Sequence, residues 1–98
     1  MKLVAVTACP TGIAHTYMAA AQLEKTAKKL GHTIKVETQG AMGIENELSQ
    51  DDVDGADAAI IATDIALEQA ERFNRVRKIE VSVQAALKDP EAIFAQLK

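Results

Sequence analysis

Residues 2–20, KLVAVTACPTGIAHTYMAA, decide the fold of this 98-residue chain. Residues 2–8 are short, apolar and without alternation, which predicts a buried β-strand. After a brief loop, apolar side chains return every three or four residues until Gly31, which has the position of a helix C-terminal cap. We therefore predict a strand that leads directly into a helix over about residues 14–30. The chain's one cysteine, Cys9, lies between the two.

The rest of the chain continues this alternation of strands and helices. Further strands are predicted at 32–38, 58–63 and 77–81, helical turns at 44–48, 49–53 and 65–73, and helices at 82–88 and 91–98. Ser49 and Asp52 have the spacing of a capping box, and Asp89-Pro90 either separates two helices or begins the last one. This order predicts an α/β fold: a small open, mainly parallel, four-stranded sheet with helices on both faces.

Composition excludes several classes of function. The length predicts one domain, and a net charge of −3 with few clustered cations argues against nucleic-acid binding. One cysteine permits neither an internal disulfide nor a two-cysteine redox motif. The chain has no apolar run long enough to cross a bilayer and no signal-peptide cleavage pattern. We therefore predict a cytoplasmic protein without direct membrane insertion.

The position of Cys9 predicts phosphate chemistry. Ligands of open α/β sheets bind at the carboxyl ends of the strands, and Cys9 follows such an end. Backbone N–H groups at the start of a helix attract anions and favour a thiolate. A buried cysteine can also be mere filler, but the neighbouring glycine and threonines favour a nucleophile. The predicted phosphate-binding loop consists of Pro10, Thr11, Gly12, Ile13, Ala14, His15 and Thr16.

Three functions fit this loop. The tyrosine-phosphatase signature is a cysteine, five residues, an arginine and then Ser or Thr; here His15 stands in the arginine position. Histidine cannot hold a phosphate dianion bidentately as a guanidinium does, which favours a carrier that releases its phosphoryl group. A small cysteine-dependent phosphatase with a Cys-x5-His loop, with Asp64 as its acid, remains the alternative. A module that only binds phosphate or a phosphoprotein is the third.

Three stretches carry a family resemblance: ACPTGIAHTYMAA (8–20), VETQGAMGIENELS (36–49) and DGADAAIIATD (54–64). They resemble the fructose-type IIB component of the bacterial phosphoenolpyruvate-dependent sugar phosphotransferase system (PTS), over nearly the whole chain. The resemblance implies one IIB domain over residues 1–98, with a small open parallel sheet and no metal or cofactor. It also implies a phosphocysteine relay. Cys9 would take a phosphoryl group from a phosphohistidine of the IIA component and pass it to fructose, or a similar sugar, in the membrane component IIC. Both partners would act in trans.

Other residues allow two interpretations each. His15 either hydrogen-bonds the thiolate or phosphate, or has a structural role in the first turn. Arg72 and Phe73 belong either to a docking face or to the core. Met18 either lies beside the core, which its position favours, or forms with Met42 an adaptable apolar contact for partners. His32 is expected in a solvated turn. Residues that either contact a partner or order the loops at the same edge are Gln39, Gly40, Met42, Gly43, Glu45, Asn46 and Asp64.

Overall fold

The computed structural model describes residues 1–8, 13–40, 43–64, 67 and 69–96, without the side chains of Ile13 and Ala14. Within these residues the strands are β1 (Lys2–Ala8), β2 (Thr33–Gly40), β3 (Gly43–Glu45), β4 (Ala58–Thr63) and β5 (Lys78–Val81). The helices are α1 (Ile13–Lys29), α2 (Gln50–Asp54), α3 (Val83–Lys88) and α4 (Pro90–Ala95), and a 3-10 turn spans Ala70–Phe73.

The strands form one sheet in the order β3-β2-β1-β4-β5, so that β1 is central. β2, β1, β4 and β5 are parallel, while β3 pairs with β2 in the antiparallel direction. The predicted α/β class is confirmed, but the described residues form a sheet of five strands rather than four. The helical turn predicted at 44–48 is wrong, because Ile44 pairs with Gln39 in this added strand and residues 46–48 are not helical. Gly43, with φ of +90°, allows the backbone conformation at the beginning of β3.

Helical segments cover both faces of the sheet, as predicted. On one face α1, α3 and α4 pack on alternate residues of the strands, with Leu23 and Phe94 among the fully buried side chains. On the other face Leu48, Val53 and Phe73 cover Val4, Val6, Ala59 and Ile61. The strands of a parallel sheet read as continuous apolar runs because both faces are buried in this way.

The predicted helix boundaries hold to within a few residues because local side chains set them. Ser49 and Asp52 form the predicted capping box at the start of α2. Asp89 caps α4, and Pro90 occupies its first turn. α1 is followed by Gly31 at φ +81°, and the His32 N–H donates to the Ala27 carbonyl at 2.8 Å, which is a glycine-type C-terminal cap.

Some predicted burial was wrong. The helical spacing of apolar residues predicts burial of Tyr17 and Leu30, and Met18 is predicted beside the core. Their exposed fractions are 39%, 45% and 54%, respectively. The buried face of α1 instead runs through Thr16, Ala20, Leu23 and Ala27, and the three exposed side chains lie outside it. His32 is half-buried rather than solvated, and its ring stacks on Phe94 with centroids 5.8 Å apart. In the described part of the chain, every helix is too short or too polar to span a bilayer.

Candidate functional site

The carboxyl ends of β1, β2 and β4 lie side by side. Ala8, the last residue of β1, is aligned with Gln39 on one side and Thr63 on the other. Cys9 follows Ala8 in sequence, and α1 begins four residues later at Ile13. The structure thus confirms a strand end followed by a helix start. The loop residues Cys9, Pro10, Thr11 and Gly12, and Met42 of the neighbouring loop, lie outside the described residues, as do the side chains of Ile13 and Ala14.

The first turn of α1 is bonded to the end of β1. The Thr7 hydroxyl donates to the Thr16 carbonyl at 3.0 Å, and both residues are buried. A threonine at this strand end could offer its hydroxyl to phosphate, but the Thr7 proton is used within the core instead. A Cβ placed on Gly40 would lie 3.8 Å from Thr16 Oγ1, so Gly40 adjoins the first turn of α1. His15 is exposed on the same turn.

The β2–β3 hairpin forms the rim of this edge next to α1. The Tyr17 hydroxyl on α1 donates to the Glu45 carboxylate at the end of β3. Asn46 follows with φ of 53°, a left-handed conformation that asparagine tolerates better than most residues. Glu45 therefore orders the rim, which was one of its two predicted roles. Gly43 and Asn46 are exposed beside it.

A buried ion pair lies behind the rim, and sequence reasoning missed it. Glu37 of β2 is fully buried, although the alternation of apolar and charged residues over 32–38 predicts a solvated face for it, and Arg72 is 8% exposed. Arg72 Nη1 and Nη2 donate to the two carboxylate oxygens of Glu37 at 2.8 and 3.0 Å. The Leu48 N–H and Gln39 Nε2 donate to the same carboxylate at 2.8 and 2.6 Å. No local signal could have revealed a pair of residues 35 positions apart.

This network sets the ionisation of both partners. Burial alone would raise the pKa of Glu37, but hydrogen bonds from Arg72, Gln39 and Leu48 outweigh it and lower that pKa below its ordinary value. The hydrogen bond to Glu37 raises the pKa of Arg72 further. Glu37 is therefore a carboxylate at neutral pH, and its four donors satisfy it without water.

Arg72 is not placed to act as a phosphatase arginine. Its Nη1 also donates to the Leu48 carbonyl at 2.7 Å, and its Nε donates to the Gln69 carbonyl at 3.0 Å. Together with the two bonds to Glu37, four of the five guanidinium N–H groups are engaged inside the protein. Arg72 and the buried Phe73 beside it thus belong to the core rather than to a docking face.

Asp64 has a structural partner at the same sheet edge. Its Oδ1 accepts a hydrogen bond from the Val83 N–H, the first of α3, at 3.2 Å. This resembles the capping role considered for it, although the helix it serves is α3 rather than one directly after β4. Among the described residues, no group of three His, Cys, Asp or Glu side chains is placed to hold a metal.

Comparison with known proteins gives a consistent result. A family model described as "PTS system, Lactose/Cellobiose specific IIB subunit" matches residues 4–96. The chain is 47% identical over 97 residues to the PTS system fructose-like EIIB component 2 of Escherichia coli K12, covering 99% of this chain and 92% of that protein. It is 48% identical over 99 residues to the fructose-like PTS system EIIBC component of the same strain, covering 99% of this chain and 20% of that protein.

A solved structure agrees with these relatives. A domain of the fructose-specific IIABC component of Borrelia burgdorferi has a TM-score of 0.92 at 44% identity, and the match covers 97% of this chain and 90% of that one. Sequence motifs, family model and architecture therefore point to one family. The chain belongs to the IIB family of the sugar phosphotransferase system, and it groups there with the fructose-like EIIB components.

Proposed function

We propose that this protein is a phosphocarrier whose Cys9 accepts a phosphoryl group from a IIA phosphohistidine and passes it to a sugar bound in IIC. The supporting observation is the alignment of Ala8 between Gln39 and Thr63, with the 17-residue helix α1 beginning at Ile13. In sequence, Cys9 follows the middle one of these three strand ends and precedes the N-terminus of a long helix, and helix N-termini at such an edge stabilise anions. Family membership supports the same chemistry.

The relay has two substitutions at phosphorus. In the first, the Cys9 thiolate attacks the phosphorus, an S–P bond forms and the N–P bond breaks. The departing imidazole of IIA takes a proton from water and becomes neutral histidine. In the second, a sugar hydroxyl oxygen attacks the phosphorus, an O–P bond forms, and the S–P bond breaks to return the thiolate. The hydroxyl proton passes to a base. No metal or cofactor enters either step as proposed.

The loop from Pro10 to Thr16 is the proposed phosphate cradle. Backbone N–H groups at the start of a long helix stabilise a phosphoryl dianion without a guanidinium. Arg72 is held by Glu37 and two carbonyl groups, which agrees with a site that binds phosphate loosely and passes it on. His15, exposed on the first turn of α1, is proposed to hydrogen-bond the thiolate or the phosphate.

The proposed partners are a IIA component and a IIC permease. A relative named as an EIIBC component joins the B and C parts in one protein, which supports contact between this chain and a membrane permease. The protein would then be cytoplasmic, one IIB domain over 1–98, held at the inner membrane through IIC. Proposed partner contacts are Gly40, Met42, Gly43 and Asn46 of the rim, together with Asp64 after β4. Gln39, which is buried and bonded to Glu37, is proposed to order the same edge rather than to contact a partner.

Intact mass after incubation with phosphoenolpyruvate, the general PTS proteins and a cognate IIA component tests this function. We expect one labile phosphoryl adduct on the wild type and none on Cys9→Ser. If the wild-type protein stays unmodified and hydrolyses an aryl phosphate, the carrier function is wrong and the phosphatase function is favoured. A Cys9→Ser variant that retains full function would instead favour a phosphate-binding module.

The sugar is proposed to be fructose or a fructose-like sugar. Relatives named fructose-like support this, whereas the description of the matching family model names lactose and cellobiose. Phosphorylated protein mixed with vesicles that contain the cognate IIC should lose its phosphoryl group when fructose is added and keep it when cellobiose is added. The reverse result would overturn the proposed sugar while leaving the carrier function in place.

A further inference from the structure

The buried Glu37 carboxylate holds one side chain of the proposed site in a single orientation. Gln39 Nε2 donates to Glu37 Oε2 at 2.6 Å, and both residues are buried. A carboxylate only accepts hydrogen bonds, so the amide nitrogen of Gln39 must face Glu37 and the amide oxygen must face elsewhere. The ionised state of Glu37, which Arg72 maintains, therefore decides which end of the Gln39 amide is directed away from the pair.

Gln39 is the residue of β2 that lies beside the reactive strand end. It is aligned with Ala8, which directly precedes Cys9. Glu37 is aligned with Val6 and precedes Gln39 by two residues on β2, so the two side chains lie on the same face of the sheet. The order from the interior outwards is thus Arg72, Glu37, Gln39 and then the β1 end.

We propose that Glu37 and Arg72 are positioning residues for phosphoryl transfer at Cys9, and that they act through the Gln39 side chain. This inference rests on the proposed function, because it takes Cys9 as the phosphoryl acceptor. The pair fixes Gln39 before a partner docks, so no ordering of this side chain is needed during the reaction. The bonds of Arg72 to the Leu48 and Gln69 carbonyls hold the segments before α2 and before the 3-10 turn against the same pair.

Three variants separate positioning from stability. Gln39→Leu removes the amide and keeps the ion pair. Glu37→Met/Arg72→Leu replaces the buried pair by apolar side chains of similar size, so that neither charge is left buried without its partner. The triple variant combines them. The matched control is Lys29→Met/Glu91→Leu, which removes an ion pair whose side chains are 69% and 56% exposed.

We expect Gln39→Leu and the double variant each to lower the saturating rate of transfer from phosphorylated IIA roughly tenfold or more. The IIA concentration that gives half the maximal rate should stay unchanged, and the control should behave as wild type. Because the pair acts through Gln39, the triple variant should be no slower than the double variant. Wild-type rates in Gln39→Leu, or losses that multiply in the triple variant, would overturn the proposal.

A second measurement does not depend on phosphoryl transfer. Cys9 is the chain's one cysteine, so the rate of alkylation by iodoacetamide against pH reports on this thiol alone. The midpoint of that profile should shift in the same direction and by the same amount in Gln39→Leu and in the double variant. If the wild type forms no phosphoryl adduct, the proposed function fails, and the alkylation profile still decides whether the pair controls the thiol's surroundings. An unchanged midpoint in both variants would overturn the positioning role.

Discussion

Glu37 is a buried acid that stays ionised because its hydrogen bonds outweigh the cost of burial. Its lowered pKa has a consequence for folding. A carboxyl group whose pKa is lower in the folded state adds stability above its unfolded pKa, and this stability is lost as the pH falls through the folded value. Glu37 therefore supports the fold at neutral pH and ceases to do so in acid.

Removing one member of this pair should be far worse than removing both. Glu37→Met leaves the Arg72 guanidinium buried without its carboxylate, which should lower the free energy of unfolding by about 3–5 kcal/mol. Urea denaturation at neutral pH measures this. Glu91→Gln, in an exposed pair with Lys29, should leave the curve unchanged. Equal curves for the two variants would contradict a buried role for Glu37.

At the scale of elements, α2 depends on its cap because five residues cannot form a stable helix alone. Asp52 accepts from the Ser49 N–H and from Lys35 Nζ, at 3.0 and 2.9 Å. The backbone hydrogen bond from Ser49, followed by the one from Lys35, lowers the pKa of Asp52 from 3.8 to about 2. Its contribution to stability is present above pH 3.8 and is lost as the pH falls towards 2.

Asp52→Asn should lower the melting temperature at pH 7 and flatten its pH dependence between pH 4 and 2, where Asp52 takes up its proton. Thermal unfolding over a pH series provides the measurement. Asp51→Asn removes the same charge from the same helical turn and keeps the capping box, so its pH dependence should follow the wild type. Identical curves for Asp52→Asn and the wild type would contradict the proposed role of the box.

Apolar side chains are exposed near both ends of α1, and only its first end adjoins the carboxyl edge of the sheet. Met18 is 54% exposed and Leu30 is 45% exposed. If IIA docks at the carboxyl edge, Met18→Asp should raise the half-saturating IIA concentration roughly fivefold, about 1 kcal/mol of binding. Leu30→Asp, at the far end of the same helix, should not change it. Equal effects would argue against docking at this edge.

The sequence predicted those elements whose pattern is local. β1, β4 and α1 follow from apolar runs and helical spacing, and α2 and α4 from capping residues. β3 was missed because three residues carry no periodicity of their own and form a strand only against the edge of β2. The Glu37–Arg72 pair was missed for a related reason, since only the assembled sheet and 3-10 turn bring together residues 35 positions apart.

At the scale of the whole molecule, both described ends of the chain lie opposite the proposed site. The Met1 carbonyl accepts from the Thr33 N–H at the beginning of β2, and Arg77 Nη2, just before β5, donates to the Gln96 carbonyl. These contacts place Met1 and Gln96 at the amino edge of the parallel strands, whereas Cys9 follows their carboxyl edge.

Affinity tags at either terminus should therefore leave the rate of phosphoryl transfer from IIA at the wild-type value. An insertion of six Gly and Ser residues after Asn46, on the rim of the carboxyl edge, should lower it several-fold by displacing Glu45 from Tyr17. The measurement is the single-turnover rate of phosphoryl transfer from IIA, compared among the protein with an amino-terminal tag, the protein with a carboxyl-terminal tag and the insertion variant. A tag that slows transfer as much as the insertion would contradict the separation of termini and site.

The distance between the termini and the proposed site sets a minimum length for any linker that joins this protein to a domain acting at that site. The longest dimension of the molecule is 31 Å, and a flexible chain of n residues spans about 5–6 Å times the square root of n. A flexible linker at either terminus would thus need about 30 residues for a fused domain to reach the carboxyl edge, where Cys9 follows β1. A shorter linker would keep the fused domain at the amino edge of the sheet. The carboxyl edge would then stay accessible to partners from solution.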